Sequence, residues 1–163
     1  EIDAVRRTAD GVDVMAEAAH KDVLLVAVGP MVHMAMDIRE RLAAQGIGAT
    51  VVDPRWVIPV ATSIIDLARD HRIVASIEDG IRVGGVGTRI RQELRAAGVD
   101  TAVDEIGLPD TFLDHATRGE IFEEVGLTSQ HIARMKVPVA RPLPAESASD
   151  ESIREASDAE GKA

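Results

Sequence analysis

The chain has 163 residues and a formal net charge of −10, from 28 acidic and 18 basic side chains. This balance argues against a nucleic-acid partner and against an anionic membrane surface, because both need a basic protein surface. The chain has no cysteine, which excludes disulfides and thiolate metal sites. No apolar run approaches the roughly 18 residues of a transmembrane helix. We therefore expect a cytoplasmic protein with one core, built from aliphatic side chains because only 2% of the residues are aromatic.

The first third of the chain predicts three strands and one helix. Loose alternation over residues 11–18 predicts an edge strand, and the continuous apolar run of residues 22–28 predicts a central strand buried on both faces. Gly29-Pro30 then opens an amphipathic helix that ends near Gly46, before a strand at residues 49–53. The connection at residues 19–21 is too short for a parallel crossover, so the first strand runs antiparallel to the second or lies elsewhere.

The rest of the chain continues to alternate helix and strand. A short helix at residues 62–68 is followed by a strand at 72–78, a glycine-rich turn at 80–87 and a helix at 86–97. The last strand is at residues 101–107, and two short helices follow at 118–125 and 129–135. Such alternation predicts a three-layer α/β/α domain. We expect a mixed five-stranded sheet that is mostly parallel with one antiparallel edge strand.

Composition divides the chain into three parts. Residues 1–11 are expected to be a linker, and residues 12–137 carry the periodic apolar pattern of a folded domain. From residue 138 onward Pro, Ala, Ser, Asp and Glu dominate, so little apolar area could be buried there. Residues 138–163 are therefore expected to form a flexible acidic tail.

The glycine-rich turn from Glu78 to Gly87 lies between a strand and a helix, a setting in which backbone N–H groups often cradle phosphates. It matches neither G-x-G-x-x-G nor G-x-x-x-x-G-K-[ST], and it contains no lysine. The acidic pair Glu78-Asp79 stands where an anion would approach. We interpret the glycines as sites of tight helix–strand packing, or of close approach by another backbone, where a Cβ atom would collide.

Other catalytic or metal-binding patterns have little support in the sequence. None of the five histidines lies four residues from another or in an H-E-x-x-H pattern, which leaves a metal site without a basis. His115 is in a loop, where a surface or interface role is the favoured interpretation. No Gly-x-Ser-x-Gly elbow is present. The residues alone therefore indicate an α/β domain without catalytic, cofactor-binding or metal-binding residues.

Several segments together resemble a known family. They are Val23-Leu24-Leu25-Val26-Ala27-Val28-Gly29-Pro30, Asp53-Pro54-Arg55-Trp56-Val57-Ile58-Pro59, Ile77-Glu78-Asp79-Gly80 with Gly84-Gly85-Val86-Gly87, Gly107-Leu108-Pro109-Asp110 with Phe112 and His115, and Val125-Gly126-Leu127. Their order and spacing over residues 12–135 resemble the C-terminal domain of the 1-deoxy-D-xylulose-5-phosphate synthases, thiamine-diphosphate enzymes of the transketolase type. The excess of arginine over lysine, 15 to 3, and the absence of asparagine are typical of a GC-rich genome and suggest an actinobacterial source.

The resemblance implies a role within a larger enzyme. Members of the family condense pyruvate with glyceraldehyde 3-phosphate and release CO2, in the synthesis of isoprenoids and thiamine. They use thiamine diphosphate and Mg²⁺, which they hold with a G-D-G motif and a later asparagine. This chain has no G-D-G and no asparagine, so the cofactor is expected to bind outside it and the chain alone is expected to be inactive.

The resemblance also implies the partners of the chain. These are the N-terminal and central domains of the same enzyme, on the same or a separate chain, within a homodimer. The residues expected at the domain or subunit interface are Glu78, Asp79, Gly80, Gly84, Gly85, Gly87 and His115. Two alternatives stay open: the equivalent domain of a transketolase or of a 2-oxo-acid dehydrogenase E1 β subunit, and a stand-alone anion-binding module. The absence of lysine between Lys21 and Lys136 counts against the second alternative.

Overall fold

The computed structural model describes residues 2–140, with the side chains of residues 2–135. Six strands are present in this part of the chain: β1 (Arg6–Arg7), β2 (Asp13–Ala16), β3 (Val23–Ala27), β4 (Ala49–Asp53), β5 (Ile73–Ile81) and β6 (Ala102–Leu108). They form one sheet in the order β1-β2-β4-β3-β5-β6. Neighbours among β4, β3, β5 and β6 pair in parallel, whereas β1 and β2 are antiparallel. The predicted mixed, mostly parallel sheet is confirmed, with one more strand than the expected five.

Helices cover both faces of the sheet, as the alternation predicts. They are α1 (Val32–Ala43), α2 (Thr62–Asp70), α3 (Val86–Ala96), α4 (Arg118–Glu124) and α5 (Ser129–Ala140). Apolar side chains of α1, α4 and α5 pack on one face, and those of α2 and α3 pack on the other. The three-layer arrangement is thereby confirmed. Within residues 2–140, no helix is long and apolar enough to cross a membrane.

The antiparallel end of the sheet contains the additional strand. Residues 2–11, expected as a linker, include β1, and the Val5 N–H donates to the Val14 carbonyl at 2.8 Å. A turn closed by Thr8 and Gly11 joins β1 to β2, with Gly11 in the left-handed region at φ 93°. β2 is consequently the second strand from the edge. At the other end of the chain, α5 extends through Ala140, and the remainder of the expected acidic tail lies outside the described residues.

The carboxyl ends of β3, β4, β5 and β6 meet at one edge of the sheet, because these strands are parallel. The chain passes from β3 to β4 on one side and then crosses to β5 on the other side. A reversal of this kind is where open α/β sheets usually build their functional sites, in the loops that follow the strands. We call this side of the domain the carboxyl edge.

Candidate functional site

The glycine-rich turn at the carboxyl edge is organised by Glu78. Its side chain is buried, with 7% of the residue exposed. One carboxylate oxygen, Oε2, accepts the N–H of Val86 at 3.1 Å, and the other, Oε1, accepts that of Gly87 at 3.4 Å. These are free N–H groups at the start of α3, where the helix dipole favours negative charge. The Glu78 carboxylate therefore occupies the position that a phosphate would take at this helix.

Two glycines of the turn are required by contacts inside the chain. A Cβ atom at Gly85 would lie 2.6 Å from Oε2 of Glu78, and one at Gly87 would lie 2.6 Å from Cγ of Glu105 and would also strike the Ser76 hydroxyl. The tight helix–strand packing that the sequence suggests is thus present at both positions. Among the described residues, these glycines make their close contacts within the domain.

A second carboxylate fixes the start of α3 to β6. The Thr88 hydroxyl donates to Oε2 of Glu105 at 2.9 Å, and Nη2 of Arg91 lies 2.6 Å from Oε1. The Glu105 side chain is 9% exposed. Since Glu78 is on β5 and Glu105 is on β6, α3 is held by carboxylates from two neighbouring strands. The turn is therefore a rigid feature of the carboxyl edge.

The loop that contains His115 is attached to the same edge at both ends. At its start, the Arg82 N–H donates to the Leu108 carbonyl at 2.9 Å. At its end, Nε of Arg118 lies 2.8 Å from Oδ2 of Asp79, and the guanidinium lies 4.3 Å from the centre of the Phe122 ring. A capping box formed by Thr117 and Glu120 begins α4 directly after the loop.

The seven residues expected at an interface fall into two groups. Glu78, Gly85 and Gly87 build the inside of the turn. The other four lie on the outside of the carboxyl edge and are exposed or half-exposed: Asp79, Gly80, Gly84 and His115. Gly84 has a φ of 76°, in the left-handed region that favours glycine.

Exposed apolar side chains lie at the carboxyl edge, a feature that the sequence analysis missed. The exposed fractions are 76% for Trp56, 65% for Ile58, 53% for Ile81, 64% for Val83 and 93% for Phe112. These residues lie at or beyond the carboxyl ends of β4, β5 and β6. The chain has one tryptophan, two phenylalanines and no tyrosine, so two of its three aromatic residues are exposed at this one edge. We call these five residues, two aromatic and three aliphatic, the aromatic face.

The backbone before Trp56 is held in an unusual conformation. Arg55 has a φ of 57°, a left-handed conformation that is uncommon for a residue other than glycine. Its N–H donates to Oδ1 of Asp53 at 2.8 Å, and its Nη1 lies 3.6 Å from Oδ2 of Asp13. Residues in this conformation persist where surrounding contacts hold them and are frequent at functional sites. The two aspartates thereby fix the loop that presents Trp56.

Metal binding has no structural basis in the part of the chain that is described. No group of three or more His, Asp or Glu side chains there could hold a metal ion. The carboxylates that are brought together at the carboxyl edge, Glu78 and Glu105, are instead taken up by N–H, hydroxyl and guanidinium groups of α3. Chemically, the described residues of the carboxyl edge provide an exposed apolar surface.

Comparison with known proteins identifies the family of the chain and several named relatives. The family described as "Transketolase, C-terminal domain" matches residues 13–132. The 1-deoxy-D-xylulose-5-phosphate synthase of Leifsonia xyli subsp. xyli (strain CTCB07) is 64% identical over 154 residues, which are 90% of this chain and 24% of that protein. The synthase of Clavibacter sepedonicus is 64% identical over 152 residues, which are 88% of this chain and 23% of that protein. The chain thus spans about a quarter of the length of these relatives.

Solved structures share the fold. A structure titled "Split gene transketolase, inactive beta4 tetramer" superposes with a TM-score of 0.72 at 26% identity, over 86% of this chain and 47% of that chain. A transketolase from Pichia stipitis superposes with a TM-score of 0.56 at 19% identity, over 81% of this chain and 18% of that chain, and shows the fold alone.

Proposed function

This chain belongs to the transketolase C-terminal domain family, and from that premise we propose that it is the C-terminal domain of a 1-deoxy-D-xylulose-5-phosphate synthase. The observation that carries the proposal is the high identity to two named synthases along nearly the whole chain. Both come from actinobacteria, the source that the arginine-rich composition suggests. Because the chain spans only part of those relatives, its function is that of a part within a larger enzyme.

The complete enzyme is proposed to condense pyruvate with glyceraldehyde 3-phosphate, with release of CO2, for isoprenoid and thiamine synthesis. Thiamine diphosphate and Mg²⁺ are proposed to bind outside this chain. The described residues do not fit a diphosphate, because the glycine-rich turn already holds the Glu78 carboxylate at the start of α3. Because the Glu78 carboxylate already binds the N–H groups at the start of α3, this position also cannot serve as the ligand site of a stand-alone anion-binding module. The chain by itself is proposed to be inactive.

The role proposed for this domain is to dock on the rest of the enzyme through its carboxyl edge. The aromatic face would be covered in the assembled protein, together with Asp79, Gly80, Gly84 and His115 from the outside of the turn. Burying a large apolar side chain contributes roughly 1.5–3 kcal/mol, so five such residues provide a substantial driving force. Glu78, Gly85 and Gly87 would support this contact from within, by keeping the turn rigid.

The assembled enzyme is proposed to be a homodimer in the cytoplasm. Its contacts are with other parts of the same enzyme, on the same or a separate chain. Neither a nucleic acid nor a membrane is proposed as a partner, since the charge of −10 disfavours both.

The proposal is tested with the full-length protein that contains this chain. It is assayed with pyruvate, glyceraldehyde 3-phosphate, thiamine diphosphate and Mg²⁺, next to a truncated form that ends before residue 2. We expect deoxyxylulose phosphate and CO2 from the full-length protein and neither product from this chain alone. If the full-length protein converts a different pair of substrates and does not convert pyruvate and glyceraldehyde 3-phosphate, the proposal is contradicted. The truncated form reports separately whether the domain is needed for assembly, by its mass under native conditions.

A further inference from the structure

We propose that Arg82 and Arg89, on the two sides of the glycine-rich turn, form ion pairs with carboxylates on the part of the enzyme that covers the aromatic face. This inference rests on the proposed function and specifies the chemistry of the contact. The covering surface belongs to the remainder of the synthase polypeptide. It presents an apolar patch that is bordered by aspartate or glutamate side chains.

The first observation is a contrast among the arginines. Nine arginines have a carboxylate oxygen of a described residue within 4.0 Å: Arg6, Arg7, Arg41, Arg55, Arg69, Arg72, Arg91, Arg95 and Arg118. Such pairing is expected in a chain with 28 acidic and 18 basic residues. Arg82 and Arg89 are exceptions, since neither guanidinium has an ion pair or hydrogen bond with a residue that the structure describes.

The second observation is where these two arginines lie. Arg82 directly follows β5, and its backbone is tied to Leu108 at the end of β6 by a hydrogen bond of 2.9 Å. Arg89 is in the first turn of α3 and lines a cleft together with Ile58 and Gly84. Both side chains are exposed. Arg82 stands between Ile81 and Val83 of the aromatic face in the chain, and its side chain also lines a cleft toward α5. Arg39 and Arg134, which also lack a described carboxylate partner, are on α1 and α5.

The physical argument follows from covering this face. A guanidinium that loses water at an apolar contact needs a partner, because an unpaired buried charge is strongly unfavourable. Arginine suits this position, since its planar fork binds a carboxylate through two parallel hydrogen bonds, and it is enriched at protein interfaces together with aromatic residues. A small free anion is a poorer partner near Arg89, because the adjacent helix start is occupied by the Glu78 carboxylate.

A second copy of this chain is the competing occupant. Asp110 and Asp114 lie on either side of Phe112 in the exposed loop, so two copies could pair these aspartates with Arg82 and Arg89. We favour the remainder of the polypeptide because the 154 residues aligned with the Leifsonia xyli synthase make up only 24% of that protein. That additional chain provides enough surface to cover five exposed apolar residues.

The test uses zero-length chemical cross-linking in the full-length protein. Arg82→Lys and Arg89→Lys are made singly, which keeps the positive charge and introduces a reactive amine. A carbodiimide then condenses an amine with a carboxylate that touches it, and mass spectrometry of the digest identifies both residues. The background from this chain is low, because it has only three lysines of its own. Arg134→Lys is the matched control, since Arg134 also lacks a described carboxylate partner but is on α5.

The expected result is a cross-linked peptide from each of R82K and R89K to an Asp or Glu in the remainder of the polypeptide, and none of that type from R134K. A link from either position to a carboxylate within residues 1–163, including Asp110 or Asp114, would overturn the inference, as would the absence of any link. The wild-type protein is assayed for synthase activity in the same preparation. An active wild type without these links refutes only the ion pairs, whereas an inactive wild type refutes the proposed function.

Discussion

Position 87 in the first turn of α3 has room for a hydrogen atom and little else. A methyl group there would meet the Ser76 hydroxyl and the Glu105 side chain, both closer than 3.0 Å. In an ordinary helix Gly→Ala is stabilising by up to about 1 kcal/mol. We expect Gly87→Ala instead to lower the free energy of unfolding by about 1–3 kcal/mol, because it overpacks the contact between α3, β5 and β6. Urea denaturation of this domain measures the change.

The matched control is Gly119→Ala in α4. No heavy atom lies within 4 Å of a Cβ atom built at that glycine, and its φ is not in the left-handed region. The substitution should leave the free energy of unfolding unchanged or raise it slightly. Equal responses of the two variants would contradict the packing described for the glycine-rich turn.

Glu78 is the second residue on which the structure of the glycine-rich turn depends. Glu78→Gln keeps the shape of the side chain but removes the negative charge that faces two N–H groups of α3. Hydrogen bonds to charged groups contribute about 1.5–3 kcal/mol, and we expect a loss of that order in the free energy of unfolding. Glu93→Gln, at an exposed position of the same helix, is the control and should cost little. A Glu78→Gln protein as stable as the wild type would refute the capping role.

His71 makes the stability of the domain depend on pH. Burial lowers the pKa of its imidazole, and the charge of Lys21 acts in the same direction, while the hydrogen bond with the Leu67 carbonyl opposes both. The unfolded chain binds a proton near pH 6.5, whereas the folded chain resists protonation until a lower pH. The free energy of unfolding should therefore fall as the pH decreases below about 6.5.

Urea denaturation between pH 7.5 and pH 5 measures this dependence, on the wild type and on His71→Gln. We expect a shallower decrease in the variant, whatever its stability at pH 7.5. This pH interval lies above the range in which Asp10, with its pKa lowered to about 2 by the Thr8 hydroxyl and the Ser63 N–H, starts to be protonated. Identical slopes for the two proteins would exclude His71 as the responsible group.

Helix α4 is the element that holds the loop of residues 109–117 to the carboxyl edge. Its capping box satisfies the Glu120 N–H through the Thr117 hydroxyl and the Thr117 N–H through the Glu120 carboxylate. Thr117→Ala should loosen the first turn of α4 and with it the contact between Arg118 and Asp79. Hydrogen exchange measured by mass spectrometry should be faster over residues 118–124, and unchanged over α2. No change over α4 would contradict this account of the loop.

The regular elements could be predicted from the sequence because each is specified locally. The strand expected at residues 49–53 is β4 in full, and α2 begins at Thr62 as expected. β1 was missed because a two-residue strand leaves no periodic pattern, and only its pairing with β2 defines it. β5 is longer than expected because Ile81 pairs with Leu108 beyond a register shift, so part of the glycine-rich turn is strand.

The site was predicted only in part for a related reason. The sequence indicated that glycines between Gly80 and Gly87 meet close neighbours, but the neighbours come from β5 and β6, which only the fold brings together. The aromatic face was missed because its five residues come from three separate segments of the chain, and each alone is an ordinary apolar residue. A usable signal was the position of Trp56 and Phe112 in loops, in a chain with only three aromatic residues.

At the scale of the whole molecule, substitutions of two equally exposed valines test whether the aromatic face is covered in the full-length protein. Val83 on the aromatic face and Val5 beside β1 have the same exposed fraction, 64%. In the full-length protein, Val83→Ser should lower the urea concentration at which half of the activity is lost. The substitution removes apolar area from a covered surface, and this loss destabilises the contact by about 1–2 kcal/mol. Val5→Ser is expected to have no such effect. An equal response to both substitutions would show that Val83 is not covered.

The most direct test is hydrogen exchange of the full-length protein at the loop that contains Phe112. The amides of residues 110–116 donate no hydrogen bond to a described residue, and neither do those of residues 19–22 at the opposite edge of the sheet. Both segments would exchange rapidly if they faced solvent. If the rest of the enzyme covers the aromatic face, residues 110–116 will be protected while residues 19–22 exchange within seconds. Equally rapid exchange at both segments would contradict docking through the carboxyl edge.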